Sequence, residues 1–151
     1  MPVKENRAEV IWEGGLQDGA GRLEVASGAF PALSVTFGAR TEAADGKTNP
    51  EELIAAAHAT CYAMALSHRL GQNGTPPQRL EVRATSTLDR VEGGLKISAM
   101  ELEVMGEVSG LDPRDFEQLA KEAEQRCPVS NALRGNLDIR LKTRLGASAP
   151  S

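Results

Sequence analysis

From Ala8 to Glu13, and again from Arg22 to Ala26, apolar and polar side chains alternate, and between them stand the glycine clusters Gly14-Gly15 and Gly19-Ala20-Gly21. Period-two alternation interrupted by turn residues predicts two strands joined by a turn. A third strand is predicted from Leu33 to Arg40, with Leu33, Val35 and Phe37 on one face and a loop from Glu42 to Thr48 ending it. The pattern then changes period. At Thr48-Asn49-Pro50-Glu51-Glu52 the chain carries a helix start, with Asn49 as N-cap, Pro50 at the first helical position and Glu52 three residues past the cap. The helix is predicted to reach about Leu70 and to stop at Gly71. Along it Leu53, Ile54, Ala57, Cys61, Met64, Ala65 and Leu66 recur at helical spacing. Its many alanines imply close packing against another helix or a sheet, and a length on the order of 30 Å makes it the central core element.

After the break Asn73-Gly74-Thr75-Pro76-Pro77, two longer runs, Leu80 to Leu88 and Leu95 to Val108, flank Glu92-Gly93-Gly94 and predict a hairpin. Asp112-Pro113 opens a second helix striped by Phe116, Leu119, Ala120 and Ala123. It must end near Cys127, because Pro128 disfavours helical geometry in the residue before it. Pro128 can itself open a short helical turn through Leu133, which leaves Cys127 at or near an N-cap with free N–H groups pointing towards its sulfur. Gly135 closes that turn, and Leu137, Ile139 and Leu141 mark a last strand. The tail from Gly146 to Ser151 is predicted to be disordered. No repeat or linker divides the chain, and the order βββ-α-ββ-α-α-β reads as one α+β domain over residues 1–151.

Composition narrows the chemistry. A chain of 151 residues can bury roughly two thirds of the surface its unfolded form exposes, so it needs neither a structural disulfide nor a metal. Its two cysteines are therefore free for chemistry. The N-terminus lacks an apolar core of the signal-peptide kind, and no later stretch has the ~18 consecutive apolar residues of a membrane span, so a soluble, cytoplasmic protein is expected, with no membrane partner. In that reducing compartment an isolated cysteine pair is more often catalytic or redox-active than structural. The net charge of -4 and a total of three Phe, one Tyr and one Trp argue against nucleic acid, for want of a basic stripe or a stacking platform.

Cys61 lies mid-helix among alanines and Cys127 at a helix-breaking Cys-Pro step, so they can form one dithiol/disulfide couple if the fold brings the sulfurs together. The reactive form is the thiolate, which needs a cation, a helix N-terminus or hydrogen-bond donors to lower the pKa. Cys61 is about three turns inside its helix, beyond help from that helix's own N-terminus, and a guanidinium from elsewhere would have to serve. Buried without such a partner, Cys61 would be an inert core thiol. His58, one turn before Cys61, and His68, two turns after, could with the cysteines make a tetrahedral zinc shell. Their spacing matches no compact ligand motif, and each histidine reads as an ordinary helix residue. No glycine-rich phosphate loop follows a strand.

Taken together, Trp12-Glu13-Gly14, Ser27-Gly28, Phe37-Gly38-Ala39-Arg40, the run from Thr48 through Cys61 and Cys127-Pro128-Val129-Ser130 resemble the OsmC/Ohr family of thiol-dependent peroxidases, and more closely its OsmC branch. The resemblance spans nearly the whole chain. It implies an OsmC-like α+β fold, with antiparallel sheets packed around a long central Ala-rich helix in an intertwined homodimer. It makes Cys61 the peroxidatic nucleophile, Cys127 the resolving thiol, Arg40 the residue that activates the thiolate and Glu51 the residue that holds Arg40. The Ohr branch carries its activating arginine in the first hairpin; here that segment reads Gly14-Gly15-Leu16-Gln17-Asp18-Gly19, so Arg40 must serve. The implied substrate is an organic hydroperoxide, with hydrogen peroxide reduced more weakly. The implied reductant is a dithiol, of lipoyl type or a small thiol, and no cofactor, haem or metal is required.

Glu51 and Cys61 stand ten positions apart, which on a helix is roughly 15 Å along the axis and about 80° around it. One helix can hardly bring both to one site, so the Arg40-Glu51 pair serving a given Cys61 is expected to come at least partly from a second subunit. Ile54, Ala57 and Met64, with Phe37 or Phe30, are expected to wall the site and to suit the carbon tail of an organic peroxide. Two other classes compete: a redox sensor or binder of a small apolar ligand using the same cleft without turnover, and a structural domain with two inert thiols.

Overall fold

The computed structural model describes residues 1–146, so the tail expected to be disordered lies, from position 147 on, outside the described residues. The chain divides into two compact units, Met1–Leu53 and the residues from Ile54 onward.

In the first unit β1 (Ala8–Glu13), β2 (Ala20–Val25) and β3 (Leu33–Val35) form an antiparallel sheet in that order. Trp12 pairs with Gly21, and a Cβ there would lie 2.8 Å from both the Trp12 ring and Val35, so only glycine admits the indole. The strand expected to run on to Arg40 stops at Val35. Thr36 caps a short helix instead, α1 (Phe37–Thr41), its Oγ1 accepting from the Ala39 N–H at 3.3 Å. Threonine offers the backbone that local bond, and it outweighs the period-two signal of Leu33, Val35 and Phe37.

The helix α2 (Pro50–Gln72) starts as expected, with Asn49 Oδ1 accepting from the Glu52 N–H at 2.8 Å. The other end of the same amide donates to the Ala39 carbonyl at 3.3 Å and ties α1 to the helix start. The stop lies beyond Gly71. Gly74 takes φ +79, the Thr75 N–H reaches the Leu70 carbonyl, and the Gly74 N–H reaches that of Gly71, both at 3.0 Å. That crossed pair satisfies the last carbonyls and requires a left-handed residue, a role Gly74 fills and Gly71 does not.

The second unit holds β4 (Arg79–Val91) and β5 (Gly94–Glu107), an antiparallel hairpin closed at Glu92-Gly93, with a bulge near Thr87 and Leu88. Next come α3 (Pro113–Arg126), capped by Asp112, then α4 (Pro128–Leu133) and β6 (Asp138–Leu145). β6 pairs parallel to β5, so this sheet, ordered β4-β5-β6, is mixed rather than antiparallel. A parallel neighbour requires a crossover of a dozen or more residues, which α3 and α4 supply.

The core of this unit joins Tyr62, Leu66 and Leu70 of α2 to Leu102 and Val104 of β5 and to Phe116, Leu119, Ala120 and Ala123 of α3. Gly106 is required beneath Phe116, because a Cβ there would lie 2.6 Å from the ring. The buried face of α2 therefore runs through His58, Tyr62, Leu66 and Leu70, about one residue around the helix from the stripe expected through Ala57, Cys61 and Met64; Met64 is 67% exposed. Tyr62 sets the rotation, since its ring is fully buried and its hydroxyl donates to the Ala120 carbonyl at 2.9 Å. Among the described residues no helix is long and apolar enough to cross a membrane.

Candidate active site

Cys127 ends α3 and begins α4. Pro128 forces that break, leaving Cys127 extended at φ -69, ψ 117, and the next turn brings the Ser130 N–H to 3.5 Å from its Sγ. The thiol is fully buried. Cys61, half-buried on α2, packs against the core that includes Cys127, and the Cys127 thiol and the Val129 main-chain N–H lie near enough to act on its sulfur. Both cysteines are free, so the structure brings the two together as a dithiol.

Burial pushes the Cys61 thiol up from its ordinary pKa; the Val129 N–H opposes that rise, and Cys127 adds to it. None of these influences is a cation. A nearby positive charge is one of the devices that favours a thiolate.

Beside the sulfurs lies a buried polar pair that sequence reasoning passed over. His58, read as an ordinary helix residue, places Nε2 2.7 Å from Ser130 Oγ, and both side chains are fully buried. Burial lowers the His58 pKa; buried Glu124 works against that lowering and Arg134 adds to it. Glu124 and Arg134 pair at 2.9 Å. The signal was present in the four-residue spacing of His58, Tyr62, Leu66 and Leu70, which puts the histidine on the core face, and in a serine three residues past the Cys127 cap.

Arg40 and Glu51 meet in the first unit. Arg40 Nε lies 2.9 and 3.2 Å from the two Glu51 carboxylate oxygens, and Nη2 lies 2.7 Å from Oε1. The fork holds the guanidinium plane against a carboxylate that is itself buried, while the Arg40 side chain stays one-third exposed. Asn49 fixes this geometry by joining the helix that carries Arg40 to the first turn of the helix that carries Glu51. His68 is exposed, and among the described residues no three His, Cys, Asp or Glu side chains gather as a metal shell.

The family model described as OsmC-like protein matches residues 43–142. The chain belongs to the OsmC family. Among relatives of this OsmC-family chain, Peroxiredoxin OsmC of Escherichia coli is 37% identical over 139 residues, which cover 91% of this chain and 96% of that protein. Organic hydroperoxide resistance protein OhrB of Bacillus subtilis is 32% identical over 126 residues, covering 83% and 90% respectively. The crystal structure of OhrB aligns with a TM-score of 0.73 at 30% identity over 91% of this chain and 98% of its own. An organic hydroperoxide resistance protein OsmC from Legionella pneumophila aligns at 0.75 and 26% identity, over 95% and 99%. The α+β fold of the OsmC family is thus present here.

Proposed function

We propose that this OsmC-family protein is a thiol-dependent peroxidase that reduces organic hydroperoxides, and hydrogen peroxide more weakly, in the cytoplasm. The observation that carries the reading is the proximity of the Cys61 and Cys127 thiols at the turn of Val129, where Cys61 is partly buried and Cys127 fully buried. The names of its relatives, a peroxiredoxin and organic hydroperoxide resistance proteins, support the same class.

In the proposed cycle the Cys61 thiolate attacks the terminal oxygen of ROOH. The O–O bond breaks, sulfur is oxidised to a sulfenic acid, and the alkoxide takes a proton and leaves as ROH. The Cys127 thiol then attacks the Cys61 sulfur, forming the disulfide and releasing water. A dithiol of lipoyl type, or two small thiols, restores both cysteines by two exchange steps and is itself oxidised to a disulfide. Exchange begins at Cys61, because Cys127 has no exposed surface.

Arg40, held flat by Glu51, is the cation this cycle needs. It favours the thiolate before attack and donates to the departing oxygen as charge builds there. Since ten positions separate Glu51 from Cys61, we assign the pair to the site of a second subunit in a homodimer. Exposed apolar residues in both units support that assembly: Val10, Ile11 and Trp12 on β1, and Met64 on α2.

The test is consumption of cumene hydroperoxide and hydrogen peroxide with excess dithiol, comparing wild type with Cys61→Ser and Cys127→Ser. Sustained turnover lost in Cys61→Ser, with a sulfenic or mixed-disulfide form trapped in Cys127→Ser, is the expected result. A single stoichiometric oxidation without turnover would instead identify a redox sensor, and equal slow rates in all three proteins would make the cysteines bystanders.

A further inference from the structure

The hydrogen bond between His58 and Ser130 joins α2 to α4 across 72 positions of sequence. Two consecutive amides of one turn act on two different sulfurs: the Ser130 N–H lies 3.5 Å from Cys127 Sγ, and the neighbouring Val129 N–H favours the Cys61 thiolate. The hydroxyl of that same Ser130 is pinned to the helix that carries Cys61, three residues after His58. We propose that His58 is a positioning residue: through Ser130 it locks the first turn of α4 against α2, so that the Val129 and Ser130 N–H groups stay aimed at Cys61 and Cys127.

The turn needs such a lock. α4 has six residues, too few to hold itself, and Pro128 brings no N–H to its start. The bond is sheltered from water, so nothing competes for either partner. His58 Nδ1 is buried without a hydrogen-bond partner, which leaves the Ser130 contact to orient the ring. Glu124 of α3 and Arg134, just past α4, are the charged groups that act on the ring, and they are paired with each other. A neutral imidazole has one bare nitrogen and one N–H, and a serine hydroxyl complements either.

The inference rests on the peroxidase reading for the chemistry the aimed sulfurs perform, but its test needs no peroxide. Alkylation of Cys61 by iodoacetamide is followed against pH, the site being identified by peptide mass spectrometry. In His58→Leu and Ser130→Ala the apparent thiol pKa is expected to rise by about one unit, slowing alkylation at neutral pH roughly tenfold, while the limiting rate at high pH stays unchanged. His58→Gln, which keeps a nitrogen near Nε2, and Ser130→Thr, which keeps the hydroxyl, are expected to restore the wild-type profile. If His58→Leu does not fold, Ser130→Ala decides, since it removes one oxygen atom. The proposal is overturned if the profiles of the Leu and Ala variants superimpose on wild type, or if the conservative variants shift as far as the others. Peroxide consumption by wild type is scored separately, so a protein with shifted profiles and no turnover would refute the peroxidase reading and leave the positioning role intact.

Discussion

The first 53 residues and the remainder of the chain are stabilised on different terms. In the second unit β5 turns Met100, Leu102 and Val104 inward, Val108 just past its end is buried too, and Phe116, Leu66 and Leu70 are fully buried. In the first, all six residues of β1 are exposed, Val10, Ile11 and Trp12 among them, and Leu23 and Ala39 are the apolar side chains that are buried. Hydrophobic burial stabilises roughly in proportion to area, so the second unit carries its own core while the first presents apolar surface that another chain can cover. The two also divide the chemistry. One holds a cation on a carboxylate, and the other holds two thiols, of which Cys61 is pushed up by burial and by its fellow thiol. Under the proposed function, the division means that Cys61 stays a thiol until the surface carrying Arg40 reaches it.

The contrast in cores is tested most strongly by paired truncations. Phe116→Ala is expected to cost about 3–5 kcal/mol, and Leu23→Ala about 2 kcal/mol, the low end for a buried leucine, measured by urea unfolding of each purified variant. Equal losses would show that the first unit has a core of its own. The division of chemistry is sharpened by Arg40→Leu, which should slow peroxide turnover by roughly 100-fold, the loss typical of one charge-stabilising donor. Arg40→Lys should recover only part of it, because an ammonium lacks the fork that meets Glu51 on two sides. Wild-type turnover in Arg40→Leu would remove the first unit from the reaction.

Exposure of β1 predicts that Trp12→Lys halves the solution mass in sedimentation while the far-ultraviolet circular dichroism stays unchanged. A wild type that already sediments as a monomer at micromolar concentration would defeat the assignment. The smallest effect is electrostatic and lies in the second unit. Burial holds the His58 pKa below its ordinary value in the folded state, so as pH falls through about 6.5 the unfolded chain takes up a proton first. Stability owed to the neutral ring is present above that pH and is lost below it, at no more than about 1.4 kcal/mol per pH unit. His58→Gln should flatten the wild-type slope between pH 6.5 and 5 in thermal melts; an unchanged slope would mean that other groups govern it.

Much of this was legible in the residues. Asn49-Pro50 and Asp112-Pro113 mark helix starts because capping is local, and Glu92-Gly93-Gly94 marks the hairpin because a two-residue turn needs glycine conformations. Cys127 was readable as a cap from Pro128 alone. What was missed depends on long-range contact. The face of α2 is set by Tyr62 reaching Ala120, the direction of β6 by the crossover before it, and the worth of His58 by a serine far along the chain. At Phe37–Thr41 the miss was local: a threonine cap overruled three alternating apolar residues.

The distance in sequence between His58 and Ser130 has a temporal meaning on the ribosome. The helix bearing His58 and Cys61 is synthesised first, and Ser130, which bonds to His58, follows 72 residues after it. At typical elongation speeds that interval is on the order of 4–14 s. For that time the nascent chain carries an unmatched thiol, open to stray oxidation or mixed disulfides, and the finished arrangement waits on the last-made third of the polypeptide.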